Sequence, residues 1–220
     1  MSYLQLTTKC NMLCSHCLFA CTAEGEDMSI ATFRNALNFL SNYMGIEYVA
    51  LGGGEPTIHP KFESMLFQAM SQFDFVWLAT NGKHKRRALM LAELSRKYKD
   101  RFSAELSLDD YHEPIDKEVE EAFFALGRHE DSKMWKGIRT TTHANQPPIK
   151  NGRATEGRDE CCCESLFITP SGDIKNCGCD DSPVIGNVND PSTYSDAQYD
   201  FKNECCGERT NQLKEELAQL

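Results

Sequence analysis

The chain has no hydrophobic run approaching the ~20 residues that a membrane-spanning helix needs, and residues 1–8 are too short and too polar for a secretion signal. It also has no excess of cations. Lys and Arg number 23 against 33 Asp and Glu, for a net charge of −10. That balance argues against a dedicated nucleic-acid or anionic-membrane binder, because phosphate affinity rests on clustered cations. Internal repeats and low-complexity tracts are missing, and 40% hydrophobic with 25% charged residues is ordinary for a soluble globular chain. A cytoplasmic protein with no membrane partner is expected. Not one cysteine lies between Thr22 and Glu160, so the eleven that exist are confined to the two ends. With no export signal, a disulfide framework is excluded, and clustered thiols in a reducing compartment point to metal or iron–sulfur ligation.

The apolar pattern alternates between strand and helix. Strands are expected at Ser2–Thr7, Tyr48–Leu51, Phe75–Ala79, Phe102–Leu108 and Gly137–Thr142, with a possible sixth near Ile149. Between them, Ser29–Tyr43, Lys61–Phe73, Lys83–Lys99 and Asp116–Leu126 have helical spacing. This alternation implies right-handed crossovers and a parallel sheet. Five or six such strands are too few to close an eight-stranded barrel, so an open, partial (β/α)6 TIM-like barrel is expected over residues 1–146. The pattern changes at Gln146. Pro147-Pro148 and the Gly152–Gly157 stretch form a linker, and residues 147–220 read as a small cysteine-rich C-terminal extension. There Ser165–Thr169 and Ile174–Asn176 suggest a hairpin, Val184–Val188 a short strand and Glu208–Leu220 a terminal helix.

Cys10, Cys14 and Cys17 form a C-x3-C-x2-C set directly after the first strand, with His16 next to last. Three thiolates on one loop can hold three irons of a 4Fe–4S cube and leave the fourth open, whereas structural zinc wants four ligands and a closed shell. The loop falls at the C-terminal edge of the strands, where β/α barrels place their active sites. The chain resembles the radical S-adenosylmethionine (SAM) enzymes on this set. Gly53-Gly54-Glu55 after the second strand, Thr80-Asn81-Gly82 after the third and Ser107-Leu108-Asp109 closing the fourth extend the resemblance over residues 2–145.

The resemblance implies a 4Fe–4S cluster on Cys10, Cys14 and Cys17 that chelates SAM. Gly52, Gly53 and Gly54 would let backbone approach the methionyl part, and Glu55 would accept from its ammonium group. Thr80, Ser107, Asp109 and Arg139 are candidates for the carboxylate and ribose hydroxyls, with ordinary rim polarity as the alternative. Cys21 reads as a buried thiol rather than a ligand.

The second group comprises Cys161, Cys162, Cys163, Cys177, Cys179, Cys205 and Cys206. Gly152-Arg153-Ala154, the cysteine triplet and Gly172-x4-Cys177 resemble the start of the auxiliary-cluster extension called SPASM, whose downstream cysteine set is not reproduced here. A truncated, Twitch-like extension with one auxiliary 4Fe–4S cluster is implied, with a zinc site or free thiols as the alternative. Its ligands would be one cysteine of the triplet, Cys177, Cys179 and one of Cys205 and Cys206. Lacking a core of its own, this tail should be held folded by its metal and be separable from the barrel at Asn151.

The implied activity is reductive cleavage of SAM to a 5′-deoxyadenosyl radical that abstracts hydrogen from an aminoacyl-type substrate. Such a substrate is a peptide residue, or an amino acid on a carrier such as a modified nucleotide. A flavodoxin or ferredoxin would donate the electron. With a strand starting at residue 2, no N-terminal leader-peptide recognition domain is expected. The alternatives are a glycyl-radical activating enzyme and a non-catalytic Fe–S or zinc redox-interaction module. The run Lys83–Arg87 reads as a solvated helix start.

Overall fold

The structure is a computed structural model that describes residues 2–127, 137–141, 148–157, 166–180 and 182–194. Strands and helices alternate as the periodicity demands: β1 (Ser2–Thr7), α1 (Ile30–Asn38), β2 (Tyr48–Gly53), α2 (Phe62–Gln72), β3 (Phe75–Thr80), α3 (Lys85–Lys97), β4 (Phe102–Ser107), α4 (Lys117–Phe124) and β5 (Ile138–Arg139). Local chemistry sets the helix starts. Ser29 caps α1 by accepting from the Thr32 amide, and Asp116 caps α4 by accepting from Glu118. Past α1 the chain widens into a single π-helical turn, Phe39–Tyr43. No helix among the described residues is long and apolar enough to cross a membrane.

β1 to β5 run parallel in the order β5-β4-β3-β2-β1, and the sheet does not close. Alternate residues divide its faces. Leu4 and Leu6, Val49 and Leu51, Val76 and Leu78, and Phe102 and Leu106 bury fully in one cluster with Phe33, Phe62, Leu66, Leu91 and Phe123 from the helices. Each such side chain contributes about 1.5–3 kcal/mol. The opposite face is smaller and more polar. Its cross-strand partners are Tyr3 with Ala50, Gln5 with Gly52, Trp77 with Ser103, Ala79 with Glu105, and Ser107 with Arg139.

Two expectations change. Among the described residues Ile149 makes a single bridge and no strand. The sixth parallel strand, β6 (Phe167–Ile168), instead lies at the far edge beside β1, pairing Tyr3 with Phe167. β6 turns into β7 (Asp173–Lys175) as the expected hairpin, and β8 (Val184–Asn187) follows antiparallel. The extension therefore does not rely on metal alone. Leu166, Ile168, Ile174, Ile185 and Val188 are buried in the barrel's own core, and Tyr194 packs on Phe39 and Tyr43 at ring separations of 5.0 and 5.8 Å. Sequence periodicity missed this because short strands borrowing another unit's core need no long apolar pattern of their own. Cys161, Cys162, Cys163, Cys205, Cys206 and the expected helix at 208–220 lie outside the described residues.

Candidate active site

The loop after β1 is closed by backbone. Thr8 donates to Glu26 O at 2.9 Å and Cys10 to Thr22 O at 2.6 Å, so residues 11–21 project as one loop from the C-terminal edge of the sheet. Lys9 pairs with Asp27 at 2.7 Å below it. Met12 anchors the loop, at 1% exposure, while Cys10, Cys14 and Cys17 stay half-buried. Cys21 is buried, and its thiol donates to Phe19 O at 3.7 Å. The neighbouring Cys21 side chain pulls Cys17 down despite burial, aided by the Cys21 and Phe19 amides and by Arg153. The same neighbour, and then burial, push Cys21 up. Burial pushes Cys10 up to about 11.

The glycine run after β2 lets this loop sit where it does. A Cβ on Gly52 would stand 2.0 Å from Tyr3 Oη, and one on Gly54 would stand 2.0 Å from the Lys9 carbonyl. Gly53 has φ +131° and donates its amide to Tyr3 Oη at 2.7 Å. The space a side chain would fill is thus partly taken by the chain itself, and the bare backbone of β2 comes up beside Cys10.

Glu55 is 1% exposed. Its Oε1 accepts from the Thr57 amide, the Thr57 hydroxyl and the Thr80 hydroxyl, and its Oε2 from the Asn81 amide at 2.7 Å. Burial raises its carboxyl, and the Asn81, Thr57 and Thr80 bonds pull it back. Thr80, also 1% exposed, in turn accepts from the Gly82 amide. The two residues therefore form one brace tying the ends of β2 and β3. Glu55→Ala would leave four buried donors unpaired at about 1–3 kcal/mol each. We expect a Tm fall of roughly 8–16 °C, or about 4 kcal/mol. SAM affinity should weaken with it. Thermal melts and equilibrium titration check both; weaker SAM binding at an unchanged Tm would make Glu55 a contact and not a brace.

Asn81 reaches further. Its Nδ2 lies 2.8 Å from Asn11 Oδ1 and 3.8 Å from Cys10 Sγ, so β3 touches the cysteine loop directly. Opposite it, Ser107 and Arg139 are cross-strand neighbours at the ends of β4 and β5. Asp109 follows. Its Oδ1 lies 2.7 Å from His112 Nδ1, and its Oδ2 accepts from the Thr141 amide at 3.0 Å. Burial raises the Asp109 carboxyl, but His112 and the Thr141 and Tyr111 amides hold it at about 2. Burial works against the His112 cation, yet Asp109 and Cys14 bring it up to about 9. His16 completes the group, with its ring 4.4 Å from Tyr111 and 5.1 Å from His112, and its buried Nδ1 has no hydrogen-bond partner among the described residues.

The structure thus brings together the three thiols, Gly52–Gly54, Asp109 and the brace below them, while Ser107 and Arg139 stand on the strands that end beside Asp109. Sequence reading missed Asn81, Tyr111 and His112 as neighbours of the cysteine loop; Asn81 alone carried a signal, inside the Thr80-Asn81-Gly82 motif. The cationic run is spent on the chain itself. Lys83 holds Asn11 O and Glu113, Lys85 pairs with Asp116 and Glu118, and Arg86 and Arg87 pair with Glu63.

The donor set fits a 4Fe–4S cluster with one open iron: three half-buried thiols on one loop, with bare glycine backbone beside them. In the extension, Cys177 and Cys179 are buried, and the Cys179 amide donates to Cys177 Sγ at 3.4 Å.

Residues 4–139, more than half of the chain, match the Radical SAM superfamily. A curated relative, the antilisterial bacteriocin subtilosin biosynthesis protein AlbA of Bacillus subtilis (strain 168), is 29% identical over 120 residues, 54% of this chain and 25% of its own length. The matched stretch thus spans about a quarter of that relative. Among solved structures, BtrN in complex with AdoMet and 2-DOIA aligns with a TM-score of 0.68 at 15% identity, over 96% of this chain and 89% of its own. The anSMEcpe structure with bound AdoMet and Cp18Cys peptide aligns with a TM-score of 0.57 at 13% identity, over 91% and 81%. At these identities the two structures speak for the fold alone.

Proposed function

The chain belongs to the radical SAM superfamily, and from that premise we propose that it is an enzyme acting on an aminoacyl-type substrate. One observation carries the reading: Cys10, Cys14 and Cys17 lie half-buried on one closed loop at the C-terminal edge of parallel strands, beside bare glycine backbone. These three thiols would hold the 4Fe–4S cluster. When bound, cluster and SAM together supply reductive sulfonium cleavage and hydrogen abstraction from an unactivated carbon. The chain's own residues place and shield. Gly52–Gly54 give backbone access, while Glu55 and Thr80 hold that backbone rigid from below. Ser107, Asp109 and Arg139 offer polar groups at the rim, with Asp109 fixed by His112 and Thr141. The His16 and Tyr111 rings, 4.4 Å apart and tilted by 37°, stand at the loop and would help to keep water from it.

The extension begins at about residue 146, shares the barrel's sheet and core through β6, and is a truncated SPASM or Twitch-like unit carrying one auxiliary 4Fe–4S cluster on Cys177, Cys179 and two further cysteines. A peptide residue or a carrier-linked amino acid is the substrate class. What supports it is the resemblance of the extension and the peptide-antibiotic role in the name of the matched relative. A flavodoxin or ferredoxin would supply electrons. The test is anaerobic reconstitution followed by dithionite and SAM. We expect more iron than one 4Fe–4S cluster holds, and 5′-deoxyadenosine from the cofactor. A protein that takes up only zinc, or makes no deoxyadenosine, overturns the reading.

A further inference from the structure

The segment that leaves the barrel for the extension runs back across the cysteine loop. Arg153 spends three donors on that loop: its amide reaches Cys17 O at 3.0 Å, its Nε Cys14 O at 3.0 Å, and its Nη1 Cys21 O at 2.7 Å. Two residues earlier, Asn151 Nδ2 donates to Leu18 O at 2.7 Å. Four carbonyls of a tight loop are thus taken by one short strap from more than 130 residues away; two of them, Cys14 O and Cys17 O, also accept within the loop from the Cys17 and Ala20 amides. Gly152 is what lets the strap lie so close. It has φ +61°, and a Cβ there would stand 2.4 Å from Leu18 O and 2.6 Å from Cys17 O, both backbone atoms that cannot swing aside. The strap is also tied outward, because Asn151 Oδ1 accepts from the Asp180 amide, next to Cys179, at 3.1 Å.

We propose that Arg153 is a positioning residue for the first cluster, fixing the backbone that carries Cys14 and Cys17, and that Asn151 links this loop to the Cys177–Cys179 turn. The proposal rests on the reading of Cys10, Cys14 and Cys17 as cluster ligands. Geometry and charge do separate jobs. The planar guanidinium fork holds two carbonyls in a fixed geometry, which an ammonium on a flexible stem does not impose. Among the described residues no carboxylate pairs with Arg153, so its charge faces the loop and favours a reduced, more negative cluster.

The test uses the full chain, reconstituted anaerobically, with Arg153→Lys, Arg153→Met and Asn151→Ala variants. Iron release to a chelator and the midpoint potential of the SAM-responsive EPR signal are read for each. All three should release iron at least several-fold faster than the parent. Arg153→Met should in addition shift the reduced-to-oxidised ratio at fixed potential about tenfold toward oxidised, or about 59 mV for a one-electron couple. Arg153→Lys should keep the parent potential. Parental release rates in both Arg153 variants overturn the positioning role, and a parental potential in Arg153→Met overturns the charge role. A parental release rate in Asn151→Ala overturns the link to the extension. Should Arg153→Met fail to fold by circular dichroism, Arg153→Lys and Asn151→Ala decide the positioning role. A parent protein with no SAM-responsive signal fails the cluster reading itself, which is a different result from any of these.

Discussion

Replacing Cys10, Cys14 and Cys17 together by alanine should remove one cluster, about four irons per chain, and reduce 5′-deoxyadenosine formation to background. The fold should survive. The three thiols are only half-buried, and the loop ends are closed by the Thr8–Glu26 and Cys10–Thr22 backbone bonds, which no side-chain change removes. The triple variant matters because single ones are open to rescue. Cys21 already lies within hydrogen-bond reach of Cys17 and can step in for it. Iron by colorimetry and deoxyadenosine by chromatography decide the matter; a triple variant that keeps all its iron removes the cluster from this loop. The iron that remains would report the extension.

What the sequence made legible was local. The β/α order, the capped helix starts and the cysteine loop follow from periods of two and 3.6, from Ser29 and Asp116, and from three thiols within eight residues. Sheet order was not legible. Whether Phe167–Ile168 continues beyond β5 or joins β1 depends on which edge offers apolar partners, and Tyr3 stacking on Phe167 at 5.2 Å decides it. Glu55 shows a different limit. Its motif marked it, but motif spacing says nothing of where a carboxylate's lone pairs go, and here four donors from its own chain take them. Arg153 was visible as part of a linker and of the Gly152-Arg153-Ala154 stretch, not as a partner of the cysteine loop. Its partners are carbonyls, which every residue has, so no pattern of side chains could announce the contact.

Cys177→Ala should leave cofactor cleavage running and stop the productive reaction. Cutting the chain at Asn151 would be a poor way to ask this. It takes away Arg153, and it strips β6 from β1, uncovering Leu4 and Leu6, so the first cluster would suffer as well. A point variant avoids both faults. Cys177 is 2% exposed in a turn whose Cys177 amide donates to Ser182 Oγ, a bond the variant keeps while losing the Cys179 amide's contact with Cys177 Sγ, and Ile168, Ile174 and Ile185 of β6 to β8 are buried in the barrel core. Loss of one buried thiol should cost about 1 kcal/mol, too little to unfold the extension. Ligation is less forgiving, since a four-thiolate cluster that loses one ligand is labile. The variant should therefore lose roughly the iron of one cluster while its SAM-responsive signal persists. If the auxiliary cluster holds substrate or relays its electron, deoxyadenosine will form without product. Both are measured in one reaction mixture with the true substrate. Normal product from a variant that has lost the second cluster's iron would show that this cluster stands outside the chemistry.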